Sequence, residues 1–279
     1  MNTVILNNGV EMPQIGYGVF QVDPAECERC VSDALKVGYR MVDTAQAYHN
    51  EEGVGNAVRK SGIPRSDIFL VSKVWISNYG YEKAKASIDE SLSKLQTDYI
   101  DLMLLHQPFC DRYGAYRALE DAYRAGKLRA IGVSNFYPDH FIDLASNMEV
   151  PPAVNQVETH VFDQQVEAQK IMSEFNTRTM AWAPLAEGKN GFFTNSTLSQ
   201  IGAKYGKSVA QVALRWLLQR GVIIIPKSSR IERMAENINI FDFSLTGDDM
   251  AAIAKLDTGR SLFFDHHDAA TTRMFMGWR

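Results

Sequence analysis

A regular alternation of short aliphatic runs with helical segments constrains the fold of this chain more than any other feature of its sequence. Runs such as IDLMLL at 100–105 and VIII at 222–225 are apolar without interruption. Strands buried on both faces of a parallel sheet have this pattern, because neither face meets water. The sequence therefore predicts an α/β protein whose parallel sheet is covered by helices.

Eight strands are predicted, each followed by a helical segment. Eight such units in roughly 250 residues favour a (β/α)8 TIM barrel over an open doubly wound sheet. No linker, repeat or low-complexity segment interrupts them, so we expect residues 1–279 to form a single domain. The predicted strands are 14–18, 40–43, 68–73, 99–106, 130–133, 154–157, 179–183 and 222–226, and the predicted helices are 24–37, 51–60, 81–95, 115–125, 139–146, 164–175, 198–205, 208–219 and a last one from Ile231.

The first residues predict a β-hairpin ahead of the barrel. Residues 3–20 alternate apolar and polar side chains around Asn7-Asn8-Gly9. An Asn-Gly step readily adopts the positive φ angles that a tight hairpin turn needs. We expect this hairpin to cap the bottom of the barrel.

Composition excludes several classes of partner. The chain has 279 residues, a formal net charge of -4 and no block of Lys or Arg, which argues against nucleic acid and anionic membranes as partners. Its longest aliphatic run is far too short to span a bilayer, and its first residues lack the apolar core of a signal peptide. Three cysteines cannot form a complete disulfide framework. We therefore expect a cytoplasmic monomer.

Four chemically active side chains follow the ends of three consecutive predicted strands. Asp43 ends one strand and Tyr48 lies in the loop after it, while Lys73 and His106 end the next two strands. In a parallel barrel, strand ends meet at one mouth, where catalytic residues collect. Each residue alone also has an ordinary explanation: a helix cap, a surface aromatic, a solvated strand end and a core histidine. Their shared placement predicts a catalytic site.

Seven segments, in order along essentially the whole chain, resemble the aldo-keto reductases, in particular those similar to diketogluconate reductases. The resemblance implies an eight-stranded barrel, a nicotinamide cofactor bound without a Rossmann domain, and carbonyl reduction by a tetrad that corresponds to Asp43, Tyr48, Lys73 and His106. The segments are GYRMVDTAQAYHNE, KVW, DLMLLHQP, IGVSNF, NQVE, PKSSRIERMAENI and the C-terminal DHHD.

Carbonyl reduction explains why these four residue types belong together. Hydride delivery leaves negative charge on the carbonyl oxygen, so a proton donor and hydrogen-bond donors must already lie beside it. A free tyrosine has a pKa of about 10 and transfers protons poorly at neutral pH. We expect the ammonium of Lys73 to lower the pKa of Tyr48, and Asp43 to hold Lys73 in place. We expect a neutral His106 to bind and orient the carbonyl oxygen.

The resemblance also implies which residues hold the nicotinamide end of the cofactor. Ser134, Asn135 and Gln156 correspond to residues that hydrogen-bond the nicotinamide carboxamide. Trp182 offers a flat face on which the nicotinamide ring can stack. The expected contacts after the seventh strand are Pro184 and Leu185.

The residues after the last strand predict the phosphate end. Lys227, Ser228 and Arg233 form a basic and hydroxyl cluster before and within a helix. A 2′-phosphate prefers charge-assisted partners, and a helix N-terminus adds its dipole. This cluster favours NADPH over NADH. Glu236 and Asn237 correspond to positions that contact adenine.

The expected substrate pocket departs from the family pattern. Phe20, Trp75 and Phe109 predict an apolar wall, and residues 274–278 are expected to close one side. Gln107 stands where the family usually has a tryptophan directly after the tetrad histidine. It makes the wall more polar, which favours short or polar carbonyl substrates over bulky apolar ones.

Other interpretations of the sequence are a metal protein, an aldolase and a binding subunit. Asp265-His266-His267 supplies too few ligands for a zinc site, so we expect a charged loop and no metal. A Schiff-base aldolase also uses a barrel lysine, but it needs a desolvated amine of low pKa, and Asp43 favours the charged form of Lys73. A non-catalytic nicotinamide-binding regulatory subunit is the remaining alternative, and the complete tetrad argues against it.

Overall fold

The structure is a computed structural model that describes residues 2–279. Eight parallel strands form its main sheet in their order along the chain, after a two-stranded hairpin. The strands are β1 (Thr3–Ile5), β2 (Glu11–Pro13), β3 (Tyr17–Gly18), β4 (Met41–Asp43), β5 (Phe69–Val74), β6 (Ile100–Leu105), β7 (Leu128–Ser134), β8 (Val154–Glu158), β9 (Arg178–Trp182) and β10 (Ile223–Ile224). The helices are α1 (Pro24–Lys36), α2 (Glu51–Lys60), α3 (Tyr81–Leu95), α4 (Arg112–Arg124), α5 (Pro138–Asn147), α6 (Val166–Glu174), α7 (Ser196–Tyr205), α8 (Val209–Gln219), α9 (Ile231–Ile238), α10 (Gly247–Ala254) and α11 (Ala269–Met276).

The main sheet closes into a barrel at the junction of β3 and β10. Ile15, just before β3, forms a parallel bridge with Ile224. The backbone N–H of Gly16 donates to the carbonyl of Ile224 at 2.9 Å, and the N–H of Ile224 donates to the carbonyl of Gln14 at 3.0 Å. This closure confirms the predicted (β/α)8 barrel and brings all eight C-terminal strand ends to one rim.

The hairpin of β1 and β2 lies against the opposite rim, as predicted. Its turn contains Gly9 at a φ of 83°. The side-chain amide of Asn7 donates to the carbonyl of Pro152 at 3.1 Å, and that of Asn8 donates to the carbonyl of Arg129 at 2.9 Å. Because these carbonyls lie at the N-terminal ends of β8 and β7, the hairpin caps the bottom of the barrel.

Side-chain caps determine where several helices begin. Asp111 accepts a hydrogen bond from the N–H of Gly114 at 2.9 Å, so α4 begins three residues before the predicted start at 115. Thr246 and Asp249 form a reciprocal capping box at α10, and Asp268 caps α11. Neither α10 nor α11 was predicted, since each has only eight residues and a short apolar pattern.

The chain beyond α10, here called the C-terminal segment (residues 255–279), reaches the C-terminal rim of the barrel. Glu158, the last residue of β8, accepts hydrogen bonds from the N–H of Leu262 at 2.8 Å and from the hydroxyl of Ser261 at 2.5 Å. The indole N–H of Trp75, just past β5, donates to the carbonyl of Trp278 at 3.1 Å. These contacts place the segment beside the strand ends. Within residues 2–279, no helix is long and apolar enough to cross a membrane.

Candidate active site

The four residues of the predicted tetrad meet at the C-terminal rim. Asp43 ends β4, Lys73 is the penultimate residue of β5, and His106 directly follows β6. The Nζ atom of Lys73 donates to Oδ1 of Asp43 at 2.7 Å and to the hydroxyl oxygen of Tyr48 at 3.4 Å. The rings of Tyr48 and His106 are 5.6 Å apart at 77°. The structure thus brings together the four residues that the sequence placed at separate strand ends.

Gln46 holds the loop that positions Tyr48. A short 3-10 turn over Gln46–Tyr48 follows β4. The side-chain oxygen of Gln46 accepts hydrogen bonds from the N–H of Trp75 and the amide of Asn78, both at 2.9 Å. These bonds attach the loop after β4 to the loop after β5. Sequence reasoning did not single out Gln46, because its partners come from another loop.

Lys73 is fully buried and has three hydrogen-bond acceptors. Besides Asp43 and Tyr48, it donates to the carbonyl of Thr44 at 2.8 Å. Burial lowers the pKa of Lys73 from its ordinary value, while the carboxylate of Asp43 acts in the opposite direction. The second carboxylate oxygen of Asp43 accepts from the amide of Gln156 at 2.8 Å. The ion pair is therefore held from both sides.

The proton of Tyr48 is held more tightly than the sequence suggested. Burial raises the pKa of Tyr48 well above its ordinary value, and the negative charge of Asp43 adds to this effect. Burial thus sets the net direction of this pKa, and the predicted opposing effect of the Lys73 ammonium, 3.4 Å from the Tyr48 hydroxyl, stays a prediction. Tyr48 therefore carries its proton at neutral pH, as a general acid must.

The surroundings of His106 favour its neutral form. Burial lowers the pKa of His106 well below its ordinary value, and the positive charge of Lys73 acts in the same direction. Its backbone N–H donates to the carbonyl of Val74 at 3.1 Å, and its carbonyl accepts from the amide of Asn135 at 3.0 Å. A neutral imidazole held in this way can donate one hydrogen bond without adding positive charge.

A cavity of about 1200 Å³, here called the main cavity, opens above the tetrad. Lys73 lies beneath its wall and the other three tetrad residues line it. The predicted site residues that line the main cavity are Phe20, Asp43, Tyr48, Trp75, His106, Gln107, Ser134, Asn135, Gln156, Trp182, Pro184, Leu185 and Lys227.

A hydrogen-bond network joins the residues predicted to hold the nicotinamide. The hydroxyl of Ser134 donates to the carbonyl of Gln156 at 2.8 Å. The amide nitrogen of Asn135 donates to the hydroxyl oxygen of Ser134 at 3.2 Å and to the carbonyl of His106. The indole N–H of Trp182 donates to the side-chain oxygen of Asn135 at 2.8 Å. Asn135 thus uses both of its amide N–H groups within the protein and fixes Trp182 relative to the tetrad.

The predicted phosphate-binding cluster follows β10. Lys227 lines the main cavity, and both Lys227 and Arg233 are exposed. Among residues 2–279, neither forms an ion pair with a carboxylate. Ser228 is held by its carbonyl, which accepts from the hydroxyl of Tyr17 at 2.7 Å. Two cations without carboxylate partners in the described chain suit an anionic group.

Five predicted site residues lie outside the main cavity wall. Ser228 precedes α9, and Arg233, Glu236 and Asn237 lie on that helix. The ring of Phe109 lies behind the wall, 5.4 Å from the ring of Phe275. Their contacts with a cofactor or substrate stay predictions.

Phe263 and Phe264 belong to the wall but were missed in the sequence. The ring of Phe263 lies 5.1 Å from the ring of Trp182, and the Nζ atom of Lys189 lies 3.7 Å above it. Their only sequence signal was the apolar run LFF at 262–264. The run could not show that this segment returns to the barrel mouth.

Gln107 and His266 form a polar part of the wall. The Nε2 atom of His266 lies 3.0 Å from the side-chain oxygen of Gln107, and both residues are buried. An amide oxygen only accepts, so the shared proton belongs to His266. Burial lowers the pKa of His266 to about 4, so its ring is neutral at pH 7. The rings of Phe109 and Phe275 stack on it at 6.2 Å and 5.7 Å.

Comparison with known proteins identifies the family. Residues 12–258 match the model described as "Aldo/keto reductase family". This match spans most of the barrel and contains the whole tetrad. The chain belongs to the aldo/keto reductase family. It is therefore an NADP-dependent oxidoreductase that acts on carbonyl groups.

Similar proteins cover nearly the full length of this aldo/keto reductase. A glyoxal reductase of Bacillus subtilis is 47% identical over 258 residues, which are 92% of this chain and 93% of the relative. A crystal structure of an aldo/keto reductase from Brucella melitensis has a TM-score of 0.88 at 45% identity and covers 92% of this chain and 99% of its own. A Bombyx mori aldo-keto reductase, solved in complex with NADP, has a TM-score of 0.89 at 31% identity and covers 98% of this chain and 96% of its own.

Proposed function

We propose that this protein reduces short or polar aldehydes and ketones to alcohols, with NADPH as the hydride donor and Tyr48 as the general acid. The observation that carries the proposal is the meeting of the tetrad beneath one cavity. There, the Nζ atom of Lys73 lies 2.7 Å from Asp43 and 3.4 Å from the hydroxyl of Tyr48. His106 lines the same cavity.

The residues around the main cavity fit NADPH. The volume of about 1200 Å³ exceeds that of typical small-ligand pockets, roughly 300–1,000 Å³, and leaves room for a substrate. When bound, NADPH supplies the hydride. Its nicotinamide half would be held by Ser134, Asn135, Gln156, Trp182, Pro184 and Leu185. The exposed cations of the phosphate-binding cluster fit its 2′-phosphate, and the adenosine half would be held by Lys227, Ser228, Arg233, Glu236 and Asn237.

Each tetrad residue has a role that follows from its surroundings. The neutral imidazole of His106 donates a hydrogen bond to the carbonyl oxygen and orients it. As that oxygen gains negative charge, the proton of Tyr48 moves onto it. The nearby ammonium of Lys73 then stabilises the phenolate that remains. Asp43 keeps Lys73 in position throughout.

Gln107 and His266 support the proposal that the substrate is short or polar. They add hydrogen-bonding groups to a wall that also contains the aromatic side chains of Phe20 and Trp75. A polar end of the pocket suits a second oxygen next to the reacting carbonyl. The 47% identity to a glyoxal reductase supports α-dicarbonyl compounds as the first substrates to test.

The bonding of Lys73 argues against the aldolase alternative. Its Nζ atom donates to three oxygens and it does not line the main cavity, so its lone pair is not available for a Schiff base. The complete tetrad argues against a purely regulatory subunit. That the protein is a single-domain cytoplasmic monomer stays a prediction.

Turnover of a carbonyl panel tests the proposed function. Aldehydes, α-dicarbonyls and keto-sugars are incubated with the protein and NADPH or, separately, NADH, and the loss of reduced-nicotinamide absorbance is followed. NADPH-dependent reduction that disappears in Tyr48→Phe supports the proposal. Cofactor binding without reduction of any member of the panel would favour the regulatory alternative. Borohydride trapping of a substrate on Lys73 would establish the aldolase instead.

A further inference from the structure

Three side chains that can coordinate a metal ion lie close together outside the main cavity wall. Asp139 and His140 are in the first turn of α5, and His267 is in the C-terminal segment. One carboxylate oxygen and one nitrogen of each imidazole all lie within 4.8 Å of one another. The prediction of no metal at Asp265-His266-His267 rested on too few ligands. The fold brings Asp139 and His140 to His267 from another part of the chain.

We propose that Asp139, His140 and His267 bind a divalent transition-metal ion such as Zn²⁺, which fastens the C-terminal segment to α5. Two imidazole nitrogens and a carboxylate oxygen are a common zinc donor set, with water in the open position. Ligand atoms about 2.1 Å from Zn²⁺ in tetrahedral geometry lie about 3.4 Å apart. The Nδ1 atom of His140 lies 3.3 Å from Oδ1 of Asp139, and the Nδ1 atom of His267 lies 3.5 Å from Oδ2 of the same carboxylate. With one ligand atom per residue, all three atoms lie within 4.8 Å of one another, so zinc binding requires the exposed side chains of Asp139 and His267 to draw the ligands closer together.

The ligand atoms are available to a metal. Nδ1 of His140 is buried and makes no hydrogen bond within residues 2–279. The side chains of Asp139 and His267 are 61% and 50% exposed, so both can adjust to an ion. The rings of His140 and His267 lie 5.9 Å apart at 32°. A metal at this place would give the buried nitrogen of His140 a partner.

The charges near the proposed site do not oppose a cation strongly. Arg112 and both histidines line a smaller cavity of about 410 Å³, which leaves room for water ligands. The guanidinium of Arg112 is paired with Asp143 at 2.6 Å and donates to the carbonyl of Pro108 at 2.9 Å. The positive end of the α5 dipole disfavours a cation, and the carboxylate of Asp139 offsets it.

The proposed ion would also influence the main cavity. His267 is adjacent to His266, which lines the main cavity and is hydrogen-bonded to Gln107. An ion on His267 would restrain the backbone that carries His266. This consequence rests on the proposed function: Zn²⁺ should lower the KM for a polar carbonyl a few-fold and leave kcat nearly unchanged.

Zn²⁺ binding, measured by calorimetry without cofactor, tests the metal site directly. The chain should carry no affinity tag and be freed of metal with a chelator. We expect one saturable Zn²⁺ site per chain, and at least roughly tenfold weaker binding in His140→Ala and in His267→Ala, since loss of even an outer partner of a metal ligand weakens binding about 10–100-fold. Glu167→Gln, an exposed acid in the first turn of α6, is the matched control and should bind like the parent. Co²⁺ should give the visible absorption of a low-symmetry site.

The outcomes separate this proposal from the proposed function. The metal site would be overturned if the parent and both histidine variants bound Zn²⁺ equally well, or if the parent showed no saturable binding. Either result would hold whether or not the protein reduces carbonyls. Saturable, histidine-dependent binding in a protein that reduces no carbonyl would support the metal site and count against the reductase. Asp139→Asn keeps the side-chain shape and should also weaken binding, and a circular dichroism spectrum of each variant verifies its fold.

Discussion

The Nε2 atom of His266 lies 3.0 Å from the side-chain oxygen of Gln107, although 159 positions separate the two residues. Gln107 occupies the position where the sequence departs from the family pattern. Its partner comes from the C-terminal segment, so the polar part of the pocket exists only once that segment lies over the barrel mouth. The polar part of the pocket thus depends on a contact between two distant parts of the chain.

Gln107→Leu should destabilise the fold and change the substrate range. It leaves the buried N–H of His266 without a partner, which costs about 1–3 kcal/mol of unfolding free energy. Urea denaturation measures this loss, and the KM should rise for α-dicarbonyls more than for apolar aldehydes. The double variant Gln107→Leu/His266→Phe should recover part of the stability, because neither group then needs a partner. Additive losses in the double variant would show that the two side chains do not interact.

Tyr48→Phe should abolish most turnover while leaving NADPH binding nearly intact. Removal of a general acid lowers the rate by at least roughly 100-fold. The phenyl ring preserves the packing against Phe20, whose ring lies 5.1 Å away. Steady-state rates measure the loss, and a fluorescence titration with NADPH measures binding. A variant that folds normally and keeps most of its activity would show that the tetrad has been assigned wrongly.

Arg233→Ala should weaken NADPH binding selectively. A charge-assisted contact with the 2′-phosphate contributes about 1.5–3 kcal/mol, or on the order of tenfold to a hundredfold in affinity. NADH lacks this phosphate, so its affinity should change little. Titration of both cofactors checks the prediction, with the exposed Arg59 on α2 replaced by alanine as the control. Equal weakening of both cofactors would indicate that Arg233 supports the loop structurally.

Asp163→Asn should raise the free energy of unfolding, relative to the parent protein, more at alkaline pH than at acidic pH. Burial raises the pKa of Asp163 to about 6, and the carboxylate of Glu158 acts in the same direction. The unfolded value is about 3.9, so the folded state binds this proton more tightly. The contribution of Asp163 to stability is therefore complete below pH ~4 and is lost as the pH rises through about 6.

The size of this effect follows from the shift of about two pKa units, which corresponds to at most about 3 kcal/mol. Asparagine does not titrate, so its advantage over Asp163 should grow between about pH 4 and about pH 8. Urea denaturation of both proteins at the two pH values measures this difference. An offset that is equal at both pH values would mean that the carboxyl group of Asp163 is not perturbed in the folded state.

Most barrel elements were predictable because their signals are local. A buried parallel strand is recognised by a few consecutive aliphatic residues, and β6 coincides with the run IDLMLL. Asp43 was recognisable for the same reason, since it stands at the end of such a run. Helices α10 and α11 were missed because a short helix has too few apolar positions to show a period. The effect of burial on the pKa of Tyr48 could not be predicted, because burial cannot be read from a neighbouring charge.

The sequence by itself determined the barrel, the family and the order in which the tetrad residues reach the rim. Only the tertiary structure decided which residues complete the site. Gln107 meets His266, and Asp139 meets His267, because the C-terminal segment returns across the strand ends. Such contacts depend on the path of loops and on burial, which result from the packing of the whole chain and leave no periodic pattern in the sequence.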